Sequence, residues 1–341
     1  MSINVLVIDD SALIREVLSE IIKDAPGLHL VGTAKNAFQA RDMVNQHKPD
    51  VITLDIEMPE MNGLAFLEKL MRAHPTAVIM ISSSTSKGSA ETLKSMELGA
   101  VDFVEKPTSG IAVGLGKYKE TLIEKIKNAA NAKIKQRKLP KLAHPLTISA
   151  CTDSRYVIGI GASTGGTEAI KDLLVSLPQQ FPPIVITQHM PSGFTTTFAQ
   201  RLNAMCKICV KEAQNHEILQ ANTAYIAPGD RHMTIQNSAN GMCIKLQDGP
   251  LVSGHKPSVD VMFDSLAKTM GQHTVAAILT GMGKDGAKGL LHIKQAGGKT
   301  FAQDEESSVV FGMPREAIKL KAAQEVVPLA YLGQKIRKVL Q

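Results

Sequence analysis

From Ile3 to about Glu105 the chain alternates short apolar runs with stretches of helical period. The runs lie at 4–8, 28–31, 51–54, 78–81 and 101–104, and apolar residues recur at helical spacing over 13–22, 38–44, 64–71 and 92–98. Runs that are apolar throughout, without the polar alternation of a half-solvated strand, predict strands buried on both faces. The reading is a five-stranded parallel sheet wrapped by helices on both sides, with right-handed crossovers. A further helix is predicted over 118–127, after which the chain turns polar, basic and proline-containing, with Pro140 and Pro145. Beyond a linker placed at 128–152 the pattern resumes as a strand at 157–160, a glycine turn and a helix at 169–177. Further strands are predicted at 184–187, 224–226, 233–235, 242–246 and 275–279. Residues 237–241 interrupt the run 233–246 with Asn240-Gly241, which predicts an antiparallel hairpin turning at that pair. The expectation is an α/β chain of two domains, 1–127 and 153–341, the second a mixed α/β unit with a mostly parallel sheet.

Composition changes this picture little: 44% hydrophobic and 21% charged residues belong to a globular chain rather than a disordered one. The formal charge of +6 raises the question of nucleic acid. Seven of the positive charges, Lys125, Lys127, Lys133, Lys135, Arg137, Lys138 and Lys141, fall in a stretch with no acid between Glu124 and Asp153, and the rest of the chain carries −1. The basic character is therefore that of a solvated linker, and no nucleic-acid partner is expected. No apolar stretch approaches membrane-spanning length and the N-terminus carries no leader pattern, so the expectation is a cytoplasmic protein without stable membrane insertion. The one C-x-x-C, Cys206 to Cys209, has no second pair at metal spacing and reads as ordinary small core residues.

In an open parallel sheet, chemistry gathers beyond the carboxyl ends of the strands. In the first domain those ends bear Asp9 and Asp10, then Asp55, Ser82 and Lys106, with Ser83 as the alternative if the fourth strand runs one residue longer. Any one such aspartate could be a helix N-cap. Together, three carboxylates need a cation, and hard oxygen ligands with room for water and phosphate suit Mg²⁺. Lysine adds a point charge for phosphate and serine a hydrogen-bonding hydroxyl, which makes Asp55 a candidate phosphoryl acceptor. The set Asp9-Asp10, Asp55, Ser82 and Lys106-Pro107, with Leu54-Asp55-Ile56-Glu57-Met58-Pro59 and Asn62-Gly63, resembles the receiver domain of two-component response regulators. The resemblance spans about 3–125. It implies a flavodoxin-like doubly wound (βα)5 fold, Mg²⁺ at Asp9, Asp10 and Asp55, phosphorylation of Asp55, phosphate sensing by Ser82 and Lys106, and a cis Lys106–Pro107 bond.

In the second domain Gly161-Ala162-Ser163-Thr164-Gly165 fits G-x-S-x-G between a strand and a helix, a turn that presents a serine beside helix N–H groups able to hold an oxyanion. The same glycines, with Gly159, make a loose dinucleotide-like pattern. The next strand, however, ends Thr187-Gln188-His189, with a histidine where a ribose-binding acid would stand. His189 is thus a candidate general base for Ser163, and Asp285, in a glycine-rich turn after 275–279, a candidate orienter. On spacing alone His216, His232 and His255 rival the base, and Asp230 and Asp260 the orienter. Gly161 to Gly166, Gln188-His189-Met190-Pro191, Pro257-Ser258-Val259-Asp260 and Gly281-Met282-Gly283-Lys284-Asp285-Gly286 look like the catalytic domain of the CheB methylesterases, over about 154–338. That resemblance implies Ser163 as nucleophile, His189 as base, Asp285 as orienter and the Met282 backbone N–H as oxyanion donor, with no cofactor for the esterase reaction. The whole chain is then similar to a monomeric, phosphorylation-activated chemotaxis enzyme. Its implied substrates are methyl-accepting chemoreceptors, whose glutamate methyl esters it hydrolyses and whose glutamines it deamidates in chemotactic adaptation; its implied phosphodonor is the chemotaxis histidine kinase CheA.

Overall fold

The computed structural model describes residues 2–82, 85–106, 111–134 and 155–341. The chain divides into two units, Met1–Lys138 and Leu139–Gln341. In the first, β1 (Ile3–Ile8), α1 (Ala12–Lys23), β2 (Leu28–Ala34), α2 (Ala37–His47), β3 (Val51–Asp55), α3 (Gly63–Ala73), β4 (Ala77–Ser82), α4 (Ser86–Glu97), β5 (Asp102–Glu105) and α5 (Ile111–Ala129) follow one another. The strands form one parallel sheet in the order β2-β1-β3-β4-β5, with β3 and β4 buried throughout, as uninterrupted apolar runs require. Helices start where side-chain caps allow: Ser11, Asn36 and Asn62 each accept the N–H of the residue three positions on. Thr85 caps α4 in the same way through Gly88 N, so that helix begins well before the apolar spacing that starts at Thr92. Helix α5 likewise begins at Ile111 and runs to Ala129, past both ends of the predicted helix, and Lys125 within it pairs with Asp102 at 2.7 Å rather than serving as solvated linker.

The second unit contains β6 (Val157–Ala162), α6 (Gly166–Ser176), β7 (Ile184–Gln188), α7 (Phe194–Met205), β8 (Cys209–Glu212), β9 (Thr223–Ile226), β10 (His232–Ser238), β11 (Gly241–Gln247), α8 (Val259–Thr269), β12 (Thr274–Ile278), α9 (Ala287–Gln295), β13 (Lys299–Gln303), α10 (Met313–Lys319), β14 (Glu325–Val327) and α11 (Leu329–Val339). Seven strands make a parallel sheet in the order β14-β13-β12-β6-β7-β9-β8, and β10 and β11 pair antiparallel as a separate ribbon. The hairpin turns one residue earlier than predicted. Ser238 pairs with Gly241, which leaves Ala239-Asn240 as the two-residue loop. Helix α8 packs Val259, Phe263 and Leu266 on β6 so closely that a Cβ on Gly159 would lie 2.7 Å from Leu266, and one on Gly161 2.2 Å from Val259. Those two glycines therefore serve helix–sheet packing, and the dinucleotide-like pattern loses its basis. At the centre of the sheet β6 lies between β12 and β7, so the carboxyl ends of these three strands come together.

Candidate active site

Ser163 follows the last residue of β6, and its N–H donates to the Thr280 carbonyl at 3.1 Å, just beyond β12. Its own carbonyl accepts Gly166 N at 2.7 Å, closing the turn into α6; Gly165 completes that turn at φ +76°, a conformation glycine alone adopts without strain. Ser163 itself keeps negative φ, unlike a strained nucleophile elbow. Gly281 lies directly against it. A Cβ there would stand 2.8 Å from the Ser163 Cβ and 2.4 Å from Met313 Sδ, so the backbone leading to Met282 can reach the serine only because residue 281 lacks a side chain.

His189 extends β7 by one residue, its N–H donating to the Ala162 carbonyl at 3.1 Å. Its Nε2 meets Asp285 Oδ2 at 2.8 Å, and its Nδ1 is buried without a hydrogen-bond partner among the described residues. Asp285 is fully buried and sits on the N-terminus of α8, accepting Val259 N at 2.7 Å, Asp260 N at 3.1 Å and the Ser258 hydroxyl at 2.7 Å. Burial acts to raise its pKa, but the His189 contact and these donors outweigh it and hold the carboxyl below its ordinary value. An ionised Asp285 keeps the proton of a neutral His189 on Nε2, which leaves the Nδ1 lone pair as the basic one.

The rivals make other contacts. His216 is exposed on a loop and Asp230 is exposed. His232 is tied up structurally, Nδ1 accepting Ser258 N at 3.2 Å and Nε2 meeting the Pro250 carbonyl at 2.9 Å. Asp260 accepts Gly289 N at 2.7 Å and faces α9. His255 does belong here, but on the face of His189: its ring stacks on that imidazole with centroids 3.7 Å and planes 15° apart. By spacing His255 is only a competitor for His189, and Ser258 stands in its motif without a role of its own, since neither a stacking partner nor an orienter of an orienter carries a spacing signal.

In the first unit, Asp9, Asp10 and Asp55 each bring a carboxylate oxygen within 4.8 Å of the others, the one such group of potential metal ligands among the described residues. Lys106 Nζ lies 2.8 Å from Asp55 Oδ2 and 3.4 Å from Asp9 Oδ2. Burial, then the charge of Asp9, push the Asp55 carboxyl up to about 6 despite Lys106, and burial likewise raises Asp9. Three carboxylates against one ammonium leave negative charge unneutralised where Asp9 and Asp55 are buried and Asp10 is open to solvent, so the donor set fits a hard divalent cation. Ser82 ends β4 but turns its hydroxyl toward α4, where it accepts from Thr92 Oγ1 at 2.5 Å and lies 3.3 Å from the Gly88 carbonyl. Ser83, the alternative to Ser82, and the Lys106–Pro107 bond lie outside the described residues.

A parallel α/β unit with a Ser, His and Asp at the ends of three adjacent strands, preceded by a five-stranded unit with an acidic cluster, defines a receiver joined to an α/β domain with a candidate hydrolase site. The comparisons agree: the CheB methylesterase family model matches residues 158–336 and the response regulator receiver domain matches 5–112. The chain is 53% identical to protein-glutamate methylesterase/protein-glutamine glutaminase 2 of Pseudomonas aeruginosa, covering 96% of this chain and 94% of that one. It is 52% identical to the protein-glutamate methylesterase/protein-glutamine glutaminase of Salmonella typhi, over 98% of this chain and 96% of that protein. The crystal structure of the Thermotoga maritima CheB methylesterase catalytic domain superposes with a TM-score of 0.53 at 37% identity, covering 56% of this chain and all of that one. The chain belongs to the CheB methylesterase family. Among the described residues no helix is long and apolar enough to cross a membrane.

Proposed function

We propose that the second unit hydrolyses γ-methyl esters of glutamate side chains on methyl-accepting chemoreceptors, and that it deamidates glutamines there by the same route. The observation that carries the reading is the buried His189–Asp285 pair, 2.8 Å across, at the end of the strand beside the one that presents Ser163. Ser163 Oγ attacks the ester carbonyl carbon and its proton passes to His189 Nδ1. The oxyanion is held by the Met282 N–H, brought alongside by Gly281. Collapse breaks the bond to the methoxy oxygen, which takes the proton from His189 and leaves as methanol. Water, deprotonated by His189 in turn, then cleaves the glutamyl–Ser163 ester and restores the serine. For glutamine the leaving group is ammonia. Asp285 stays ionised throughout and stabilises the imidazolium.

Asp55 is the phosphoryl acceptor in this proposal: its carboxylate oxygen attacks the phosphorus of a phosphohistidine on a chemotaxis histidine kinase, the imidazole leaves as the N–P bond breaks, Lys106 pairs the phosphoryl oxygens and the Ser82 hydroxyl turns from α4 to meet them. Asp9, Asp10 and Asp55 would hold Mg²⁺, which supplies the positive charge that phosphoryl transfer between anions needs. Phosphorylation relieves an inhibition of the esterase by the receiver, which places the protein in chemotactic adaptation.

The test is methanol release from methylated chemoreceptor membranes with and without Mg²⁺ and a small-molecule phosphodonor. Release that vanishes in Ser163→Ala, and that loses its phosphodonor stimulation in Asp55→Ala, is the expected result. No release from wild type under any condition would remove the esterase reading.

A further inference from the structure

Gln188 is 3% exposed and lies between the two residues that the proposed reaction needs. The β6–β7 ladder ends at the Ala162–Gln188 rung and the His189 N–H that follows it. Beyond that point the strands diverge, Ser163 into α6 and His189 into the loop before α7. Across the gap reaches the Gln188 carboxamide, whose Nε2 donates to the Ser163 carbonyl at 3.0 Å and to the His189 carbonyl at 3.2 Å. The amide cannot be reversed, because its oxygen would then face two carbonyl oxygens. Its Oε1 is buried without a partner among the described residues and rests on Gly166, where a Cβ would stand 2.1 Å away, so the chain closes over the carboxamide only because residue 166 is glycine. Stranding an acceptor in the interior is unfavourable, and a methionine or leucine would fill the same volume without that penalty. What the carboxamide alone supplies is two N–H groups aimed at two carbonyls.

We propose that Gln188 is a positioning residue for the reaction, its carboxamide tying the Ser163 backbone to that of His189 and so fixing the separation of nucleophile and base. It touches neither substrate nor reacting atoms. The effect belongs in kcat, since acyl transfer needs Ser163 Oγ within reach of His189 Nδ1, and a displacement of about 1 Å at such a pair costs on the order of 100-fold in rate.

The inference rests on reading Ser163 and His189 as nucleophile and base. The experiment is therefore steady-state methanol release by the phosphodonor-activated full chain, comparing wild type, Gln188→Met, Gln188→Asn and Ser163→Ala. Methionine keeps the volume without the donors; asparagine keeps the amide but is too short to span both carbonyls. Both are expected to lower kcat by about 100-fold with KM within about twofold, a loss that persists at temperatures well below each variant's melting transition. A folded Gln188→Met with wild-type kcat overturns the proposal, as does a loss that disappears on cooling. Should neither variant fold, the wild-type side-chain amide decides. Gln188 Nε2 protons that exchange with solvent as slowly as core backbone amides support the tie, and exchange at the rate of a free glutamine overturns it. Activity surviving in Ser163→Ala would remove the underlying reading of the site instead.

Discussion

At the scale of single residues, the histidine–aspartate pair sets which ring nitrogen of His189 carries the proton. Because Asp285 takes Nε2, the lone pair that the proposed reaction uses sits on Nδ1. Asparagine at 285 could present its own N–H₂ to Nε2, which would pull the imidazole proton onto Nδ1 and leave nothing to receive the Ser163 proton. Asp285→Asn is expected to lower kcat by about 10⁴-fold with the fold retained, and ¹⁵N shifts of His189 are expected to change from the Nε2–H to the Nδ1–H tautomer. An unchanged tautomer would contradict this assignment. Ser258 acts one step further out, donating to Asp285 while its oxygen faces Val261 N at the start of α8. Ser258→Ala is expected to lower activity by about tenfold and stability by about 1 kcal/mol, the cost of a helix cap. Urea denaturation and methanol release measure the two effects separately. Ser163, His189 and Asp285 were readable from the sequence because each ends a recognisable apolar run or stands in a glycine-rich turn just after one. Ser258 and Gln188 were not, because what they do depends on which backbone groups the fold brings beside them.

At the scale of elements, what the sequence concealed follows from buried polar side chains. β13 reads Lys-Thr-Phe-Ala-Gln, too polar for an apolar run, yet four of its five residues are buried. Thr300 N donates to Gln324 Oε1, and Gln303 Oε1 accepts Thr280 N at 2.8 Å, so partners distant in sequence satisfy groups that local pattern would expose. β8, Cys-Val-Lys-Glu, and β14, Glu-Val-Val, are short and carry charges, so no apolar run marks them. The meeting of α8 and α9 shows the same logic with a charge. Asp260, in the first turn of α8, caps α9 through Gly289 N, and burial, together with the nearby Asp285 carboxylate, pushes its pKa up to about 6 against the pull of that hydrogen bond. The sign follows from linkage. A carboxyl whose folded pKa exceeds its unfolded value favours the folded state at low pH, and that contribution is lost as pH rises from about 4 through about 6. Asparagine keeps an acceptor for Gly289 and does not titrate. The melting temperature of wild type relative to Asp260→Asn is therefore expected to fall between pH 4.5 and pH 7, and a difference that stays constant across that range would reject the raised pKa.

At the scale of the whole molecule, each unit carries its own candidate chemistry at the carboxyl edge of its own parallel sheet: an acidic cluster with the proposed phosphoryl acceptor in the first, a proposed acyl-transfer site in the second. Neither needs a residue from the other to complete its set, since Asp9, Asp10, Asp55 and Lys106 are gathered by β1, β3 and β5, and Ser163, His189 and Asp285 by β6, β7 and β12. On the proposed reading the receiver's part is regulatory, a shift between populations rather than a gift of functional groups. Two consequences can be separated. If the unphosphorylated receiver holds the esterase down, the fragment 153–341 releases methanol faster than the unphosphorylated full chain. The Thermotoga relative shows that such a domain can be studied by itself. And because the serine chemistry involves no group of the first unit, Lys106→Ala in the full chain leaves the rate without phosphodonor unchanged while abolishing its stimulation. Equal basal rates for fragment and full chain would exclude inhibition by the receiver and leave phosphorylation to act by raising activity directly. A Lys106→Ala variant that loses its basal rate would mean instead that the two sites are not independent, and that the acidic cluster helps hold the hydrolase in its working form.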